Sequence, residues 1–418
     1  MSLNRCVYWC MRPRSSQGSG AWLAALLLIP YAAAAQSAAP LTLDAAMARA
    51  IAANRSLAAA RLALPGAVAG VGVASERLNP ELSYEYAKET PRQAIAAAFP
   101  IELGGKRQRR VDLANATVST QEAEIAKIAV DLRERVRRAY FALVGTNRRV
   151  ALADDIVGLA TRAREAAQAR FNAGDVPRLE LVQAELALFE SENEASAARG
   201  EARAATGELN VLLAQPIDAA IVLADDLGGG TLPSLEAAMA LTTTANADLL
   251  ALDRQIAEQT ARRDLAVALK APDVTAGAAY TYDAQPEFSH GYRASVALTV
   301  PLFTRHTAGV NVEEAELARL KAARDATAIE LGGTVAAALA RATAARDQLL
   351  RSTAESLPRA QEIDRMAQDS YSSGQSGLVT LLQALQFTRD VRRRNLDAGA
   401  EYQRALADLE RAIGAPLP

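Results

Sequence analysis

The stretch FPIELGGKRQRRVDLANA, residues 99–116, contains the change of pattern that decides the fold. An apolar segment ends in Pro100 and Ile101, two glycines follow, and four cations precede an alanine-rich helical pattern. About two hundred residues later, VPLFTRHTAGVNVEEAEL at 300–317 follows the same plan. A chain that twice passes from a strand through a polar corner into a helix indicates a duplicated unit.

Other parts of the sequence are repeated in the same order. LTLDAAMARAIAANRSLAAA at 41–60 returns as PSLEAAMALTTTANADLLAL at 233–252, and Gly174 returns as Gly374. We therefore predict a first repeat at 36–216, with strands at about 81–101, and a second at 233–418, with strands at about 273–303. Residues 217–232 join them as a glycine-rich linker, which its composition predicts to be flexible.

Each repeat contains a segment that predicts a very long helix. No proline occurs between Pro100 and Pro177, and such a helix could extend for about 100 Å at 1.5 Å per residue. Val111, Val118, Ile125 and Leu132 recur every seven residues, which is typical of a coiled-coil seam. A tight turn at Gly174 and a returning helix follow, and glycine there suits a helix end that needs positive φ.

The amino terminus has the composition of a secretory signal. Residues 1–35 combine three arginines, a short apolar run and a small-residue segment, so we expect them to be a signal peptide. No later stretch of about 18 apolar residues is expected, so no second membrane helix is predicted.

The two strand segments have the alternation of outer-membrane barrel strands. In GYRASVALTVPLF, Tyr292, Val296 and Leu298 share one face, while small or polar residues occupy the other. A soluble two-hairpin sheet is the alternative, but export and the aromatic residues beside the strands favour the membrane. Four strands cannot close a barrel, and an open edge in lipid is costly, so several chains must share one barrel.

Four cations lie at the predicted start of the first long helix, where positive charge is unfavourable. We call them the basic corner: Lys106, Arg107, Arg109 and Arg110. The helix dipole disfavours cations at a helix N-terminus. Anionic head groups of outer-membrane lipid would offset this cost. The alternative is an ordinary solvated basic turn.

With these features the chain resembles the TolC-type outer-membrane efflux proteins over residues 41–416. The resemblance rests on the duplication, the turns around Gly174 and Gly374, and Leu-x-x-Ala at 181–184 and 381–384. The corner FPIELGGKRQRRVDLA resembles the cobalt–zinc–cadmium branch of that family. The resemblance implies a mostly α fold with a small transmembrane β part. Three copies would form a 12-stranded β-barrel continued by a periplasmic α-helical coiled-coil tunnel.

The resemblance also implies sites and partners. The periplasmic tips, at Gly174, Asp175, Gly374 and Gln375, would dock a periplasmic adaptor that connects the homotrimer to an inner-membrane resistance-nodulation-type pump. The candidate pore constriction consists of Thr380 and Gln383, with Glu180 and Gln183 in the first repeat; ordinary solvated helix positions are the alternative for the latter two. Thr380 and Gln383 stand where the family has an aspartate ring and carry no charge.

The predicted function is passive efflux of heavy-metal cations across the outer membrane of a Gram-negative bacterium. A duct for type I protein secretion or drug efflux and a non-pore periplasmic coiled-coil scaffold are the alternatives. Both cysteines lie in the predicted signal and only His290 and His306 occur, so neither an enzyme nor a zinc site is expected. No cofactor and no nucleic-acid partner are expected.

Overall fold

The first repeat folds as three short helices, a β-hairpin and two long helices. The computed structural model describes residues 40–417, apart from the side chains of residues 283 and 284, so the predicted signal peptide lies outside the described residues. The elements are α1 (Leu43–Ala53), α2 (Arg55–Arg61), α3 (Ala63–Ser75), β1 (Glu81–Tyr86), β2 (Gln93–Glu102), α4 (Lys106–Ala173) and α5 (Arg178–Leu212).

The second repeat has the same order with one interruption. Its elements are α6 (Leu235–Ala245), α7 (Ala247–Ala268), β3 (Asp273–Ala284), β4 (Phe288–Thr299), α8 (Thr307–Arg351), α9 (Leu357–Ser372) and α10 (Leu378–Ile413). A π-helical turn, Ser352–Ser356, separates α8 from α9, whereas α4 runs for 68 residues without a break. The mostly helical fold with a small sheet is thus confirmed.

The same asparagine cap begins one helix in each repeat. The Asn54 side chain accepts hydrogen bonds from the first backbone N–H groups of α2 and donates to the carbonyl oxygen of Leu212. The Asn246 side chain does the same for α7 and donates to the carbonyl oxygen of Ala412 at 2.8 Å. Each cap therefore satisfies free helix-end donors and also ties the end of the returning helix to its own repeat.

The four strands form one antiparallel sheet in the order β1-β2-β3-β4. Val296 lies opposite Ala276, which lies opposite Phe99, so these three side chains share one face. The other face is lined by small and polar residues, with Arg293 opposite Ala279. Hence the apolar and polar faces predicted from alternation extend across the whole sheet.

The linker between the repeats is bound to α10 by hydrogen bonds and packing. The side-chain amide of Gln403 donates to the carbonyl oxygens of Leu227 and Gly229, and the Tyr402 hydroxyl donates to that of Gly230. A β-carbon added to Gly230 would lie 2.7 Å from Leu406. The path of the linker is therefore set by packing on α10, rather than by the freedom that its glycines suggest.

One segment contradicts the expectation that no further long apolar stretch exists. Within the described residues, the stretch Arg55–Ser75, which covers α2 and α3, is long and apolar enough to cross a membrane, by length and composition alone. Almost none of it is buried, and α3 has no buried residue. Alanine, valine and leucine raise its hydropathy without forming the continuous leucine-rich pattern that is easily noticed in a sequence.

Candidate functional site

The tips are built alike in the two repeats. Gly174 has φ 81° and Gly374 has φ 76°, so both glycines are in the left-handed region, as the sequence predicted. After each glycine the next residue donates its backbone N–H to a carbonyl near the helix end, Asp175 to Arg170 and Gln375 to Ser370, both at 2.9 Å. This hydrogen bonding satisfies the last carbonyls of the long helix and reverses the chain within a few residues.

A contact between the two tips joins Glu180 to Tyr371 and Arg170, two residues that the sequence analysis did not identify. The Tyr371 hydroxyl donates to the Glu180 carboxylate at 3.1 Å, and the Arg170 guanidinium lies 5.2 Å from the centre of the Tyr371 ring. Tyr371 is buried, and burial together with the hydrogen bond to Glu180 raises its pKa. This cluster joins the α4–α5 hairpin to the α9–α10 hairpin. No local signal in the sequence reveals this cluster, because Tyr371 and Glu180 are 191 residues apart.

The four candidate constriction residues differ in their surroundings. Thr380 and Gln383 are exposed on α10, whereas Gln183 and Glu180 are partly buried on α5. The Glu180 carboxylate accepts a hydrogen bond from the Tyr371 hydroxyl and lies 3.6 Å from the Arg170 guanidinium. Within the single chain, therefore, Glu180 connects the hairpins, and Thr380 and Gln383 have free surfaces.

The basic corner makes ion pairs with the ends of the strands. The Lys106 ammonium is buried and lies 2.7 Å from the Asp273 carboxylate at the start of β3. Arg110 pairs with Glu102 at the end of β2, with one Nη–Oε distance of 2.9 Å. Glu102 and Asp273 are opposite one another in the sheet. Two cations of the corner thus neutralise two adjacent carboxylates, which offsets much of their unfavourable position on the helix dipole.

The other two cations of the corner are more exposed. The Arg107 side chain donates to the carbonyl oxygen of Ser75, and Arg109 lies 3.4 Å from Asp112 and 3.8 Å from Asp264. Surface pairs of this kind contribute little stability. Arg107 and Arg109 therefore keep most of their capacity to interact with other anions.

A network of ion pairs connects the helices α4, α7 and α10. Arg411 of α10 donates to Asp131 of α4 at 2.6 Å and to Asp248 of α7 at 2.8 Å, and Lys127 lies 2.9 Å from Asp248. Burial opposes ionisation of Asp248, but hydrogen bonds from Arg411 and Lys127 outweigh it and hold the pKa of Asp248 below its ordinary value. Among the described residues, no three His, Asp or Glu side chains form a group that could hold a metal ion.

The comparisons with known proteins match both repeats. The model of a family described as outer membrane efflux protein matches residues 46–215 and again 240–415. The cobalt–zinc–cadmium resistance protein CzcC of Cupriavidus metallidurans is 34% identical over 174 residues, which are 39% of this chain and 42% of that protein. The match thus spans about two fifths of the relative's length.

Solved structures of outer-membrane channels share the fold. CusC, described in a study of transmembrane channel formation, superposes with a TM-score of 0.72 at 16% identity, over 89% of this chain and 92% of that one. VceC of Vibrio cholerae superposes with a TM-score of 0.71 at 17% identity, over 90% and 97% of the two chains. The duplicated plan, the sheet and the matched segments lead to one conclusion: the chain belongs to the outer membrane efflux protein family.

Proposed function

We propose that this protein is the exit duct of a tripartite heavy-metal efflux system. It passively conducts divalent cations delivered by an inner-membrane resistance-nodulation-type pump and a periplasmic adaptor. The observation that carries the choice of substrate is the 34% identity to a protein of cobalt–zinc–cadmium resistance. Because the described residues contain no grouped metal ligands, the duct leaves selection of the metal mainly to the pump.

The proposed assembly is a homotrimer. The sheet has four strands, and β1 and β4 form its two edges. Unpaired backbone groups at such edges cost several kcal/mol each in hydrocarbon, and bacterial barrels start at about eight strands. Three copies joined edge to edge supply twelve strands and leave no edge.

The internal duplication supports a ring of copies. In the second repeat, α7 packs on both α8 and α4, whereas its counterpart α3 packs on α4. Likewise α10 packs extensively on α4, but α5 has no comparable packing on α8 or α9 among the described residues. A neighbouring copy that presents its α8 and α9 to α3 and α5 completes both contacts. An interface of two different surfaces generates a ring when the rotation between copies closes, as closure of the barrel would require.

The free surface of α5 has the composition such an interface requires. Its exposed apolar stripe is formed by Leu179, Val182, Leu186 and Phe189. The spacing of three and four residues places these side chains on one face of the helix. Burial of about four such side chains would contribute several kcal/mol, at about 1.5–3 kcal/mol each.

The processing and domain boundaries of the chain belong to the same proposal. A signal peptide at 1–35 is removed, and repeats at 36–216 and 233–418 are joined by the linker at 217–232. The proposal also includes adaptor docking at the tips, around Gly174, Asp175, Gly374 and Gln375. It further includes lipid contacts of Arg107 and Arg109.

Deletion of the gene tests the substrate. We expect a deletion strain to become sensitive to Co²⁺, Zn²⁺ and Cd²⁺ and to accumulate these ions, and the wild-type gene to restore resistance. Unchanged metal resistance together with sensitivity to drugs, or with loss of a secreted protein, would replace the metal proposal with the corresponding alternative. Purified protein that forms no channel in planar bilayers would instead favour a scaffold.

A further inference from the structure

One face of α10 near the tip carries two polar residues and a large exposed aromatic one. Thr380, Gln383 and Phe387 are spaced by three and four residues, which places them on the same side of the helix. Phe387 is 54% exposed. The opposite side of α10 is buried through Leu378 and Leu381. Phe387 is therefore a large apolar side chain on the unpacked face.

Both flanks of α10 in this region are already covered by the same chain. On one flank, Thr388 and Arg392 bond to the buried Asp364 of α9. On the other, Arg389 lies 3.0 Å from Glu194 of α5, and Arg149 of α4 donates to Asp397 at 2.6 Å. Since α9 and the first hairpin occupy its two sides, the same chain leaves the face with Thr380, Gln383 and Phe387 uncovered.

We propose that Phe387 forms an apolar ring inside the tunnel, one helical turn beyond the Thr380 and Gln383 constriction on the membrane side. This inference rests on the proposed trimeric duct and on the constriction that the family resemblance implies, in which Thr380 and Gln383 would face the axis. Four residues separate Gln383 from Phe387, which is about 6 Å along the helix. The position two hundred residues earlier is Ala187, so each subunit supplies one aromatic ring and the trimer supplies three.

A ring of Phe387 side chains would act as an apolar gate beside Thr380 and Gln383, which carry no charge. A narrow hydrophobic constriction excludes water and so opposes the passage of hydrated ions. Aromatic faces also attract cations, which favours positive over negative ions when the passage widens. Phe387 would thus limit leakage of periplasmic solutes while it admits the cations delivered to it.

Single cysteines test this position because the only natural ones are Cys6 and Cys10, in the predicted signal peptide. Thr380→Cys, Gln383→Cys and Phe387→Cys trimers would be placed in planar bilayers, and their K⁺ conductance followed while a cationic methanethiosulfonate reagent is added. All three should change conductance on modification. Ala220→Cys, at an exposed position of the linker between the repeats, is the control and should not.

Substitutions at Phe387 test the apolar ring itself. Phe387→Ser should raise K⁺ conductance by at least about twofold, because a polar ring stays hydrated, whereas Phe387→Leu should stay near wild type. The Phe387→Leu variant also shows that the position tolerates replacement without loss of the trimer.

The outcomes separate the apolar ring from the duct itself. If Thr380→Cys and Gln383→Cys respond to the reagent but Phe387→Cys does not, and Phe387→Ser conducts like wild type, the apolar ring is refuted and the duct stands. If none of the three cysteine variants responds, the predicted constriction at Thr380 and Gln383 is refuted as well.

Discussion

At the scale of single residues, the tips depend on two glycines with positive φ. No heavy atom lies within 4 Å of a β-carbon added to Gly174 or Gly374, so the constraint on each is conformational rather than steric crowding. A β-branched residue in this region costs about 1–2 kcal/mol. The corner would move while the sheet, at the far end of the same helix, kept its structure.

We predict that combined Gly174→Val and Gly374→Val impairs docking and leaves assembly intact. Trimers should still reach the outer membrane, while metal resistance and cross-linking to the adaptor both fall. Gly200→Ala, in the middle of α5, is the control and should behave like wild type. Intact resistance in the double variant would mean that these corners are not the docking surface.

The four cations of the basic corner divide into two pairs with separate roles. Lys106 and Arg110 hold Asp273 and Glu102, whereas Arg107 and Arg109 face outward. Lys106→Glu with Arg110→Glu places four carboxylates together, so we predict a loss of several kcal/mol and little assembled protein. Arg107→Glu with Arg109→Glu should fold normally but insert less efficiently, if these side chains contact lipid.

Recovery of assembled trimers from outer membranes measures both pairs. Equal recovery of the Arg107→Glu, Arg109→Glu variant and wild type would argue for a solvated turn. Normal recovery of the Lys106→Glu, Arg110→Glu variant would contradict the role assigned to the ion pairs.

At the scale of elements, the sheet assigns neighbouring residues to opposite environments. Val296 shares the apolar face with Ala276 and Phe99, and Ala297 lies on the face with small and polar residues. We predict that Val296→Arg costs about 2–4 kcal/mol near the bilayer midplane and that Ala297→Arg, which faces the lumen, is tolerated better. Heat-resistant trimer on gels compares the two, and equal losses would contradict the assignment of the faces.

The ion network of Asp248 makes the packing of α4, α7 and α10 dependent on pH. The pKa of Asp248 is below its ordinary value of 3.8 in the folded state, so the stability it contributes is full above that value and is lost as pH falls through the lower, folded pKa. We predict that Asp248→Asn lowers the melting temperature at pH 7 by removing the anionic partner of Arg411 and Lys127. The variant should also lose less stability than wild type on acidification below about pH 4. Parallel pH profiles for both proteins would contradict this role.

At the scale of the whole molecule, the proposed neighbouring copy would cover both the free faces of α3 and α5 and the edge strands β1 and β4. Leu186→Arg puts a charge into the apolar stripe of α5, so we predict monomers with normal helical content in detergent. Leu186→Met keeps the volume and polarity of the site and should remain trimeric. Sedimentation of the two variants measures the effect, and a trimeric Leu186→Arg protein would exclude α5 from the interface.

The sequence by itself determined the duplication, the helix and strand types and the positive φ at the tips. These features follow from local rules: the period of the apolar residues, the absence of proline between Pro100 and Pro177, and the special freedom of glycine at Gly174 and Gly374. They could be read without knowing which elements are neighbours in space.

Only the tertiary structure decided the partners of individual charged and polar groups. Lys106 and Asp273 are 167 residues apart, and Tyr371 and Glu180 are 191 apart, so no local pattern pairs them. The sequence shows four cations at a helix start but not the carboxylates that strand pairing brings beside two of them, so lipid contact stays a prediction for Arg107 and Arg109. The path of the linker was set in the same way, by Gln403 and Tyr402 of a distant helix. Long-range pairing depends on how whole elements pack, and this is the information that a one-dimensional reading lacks.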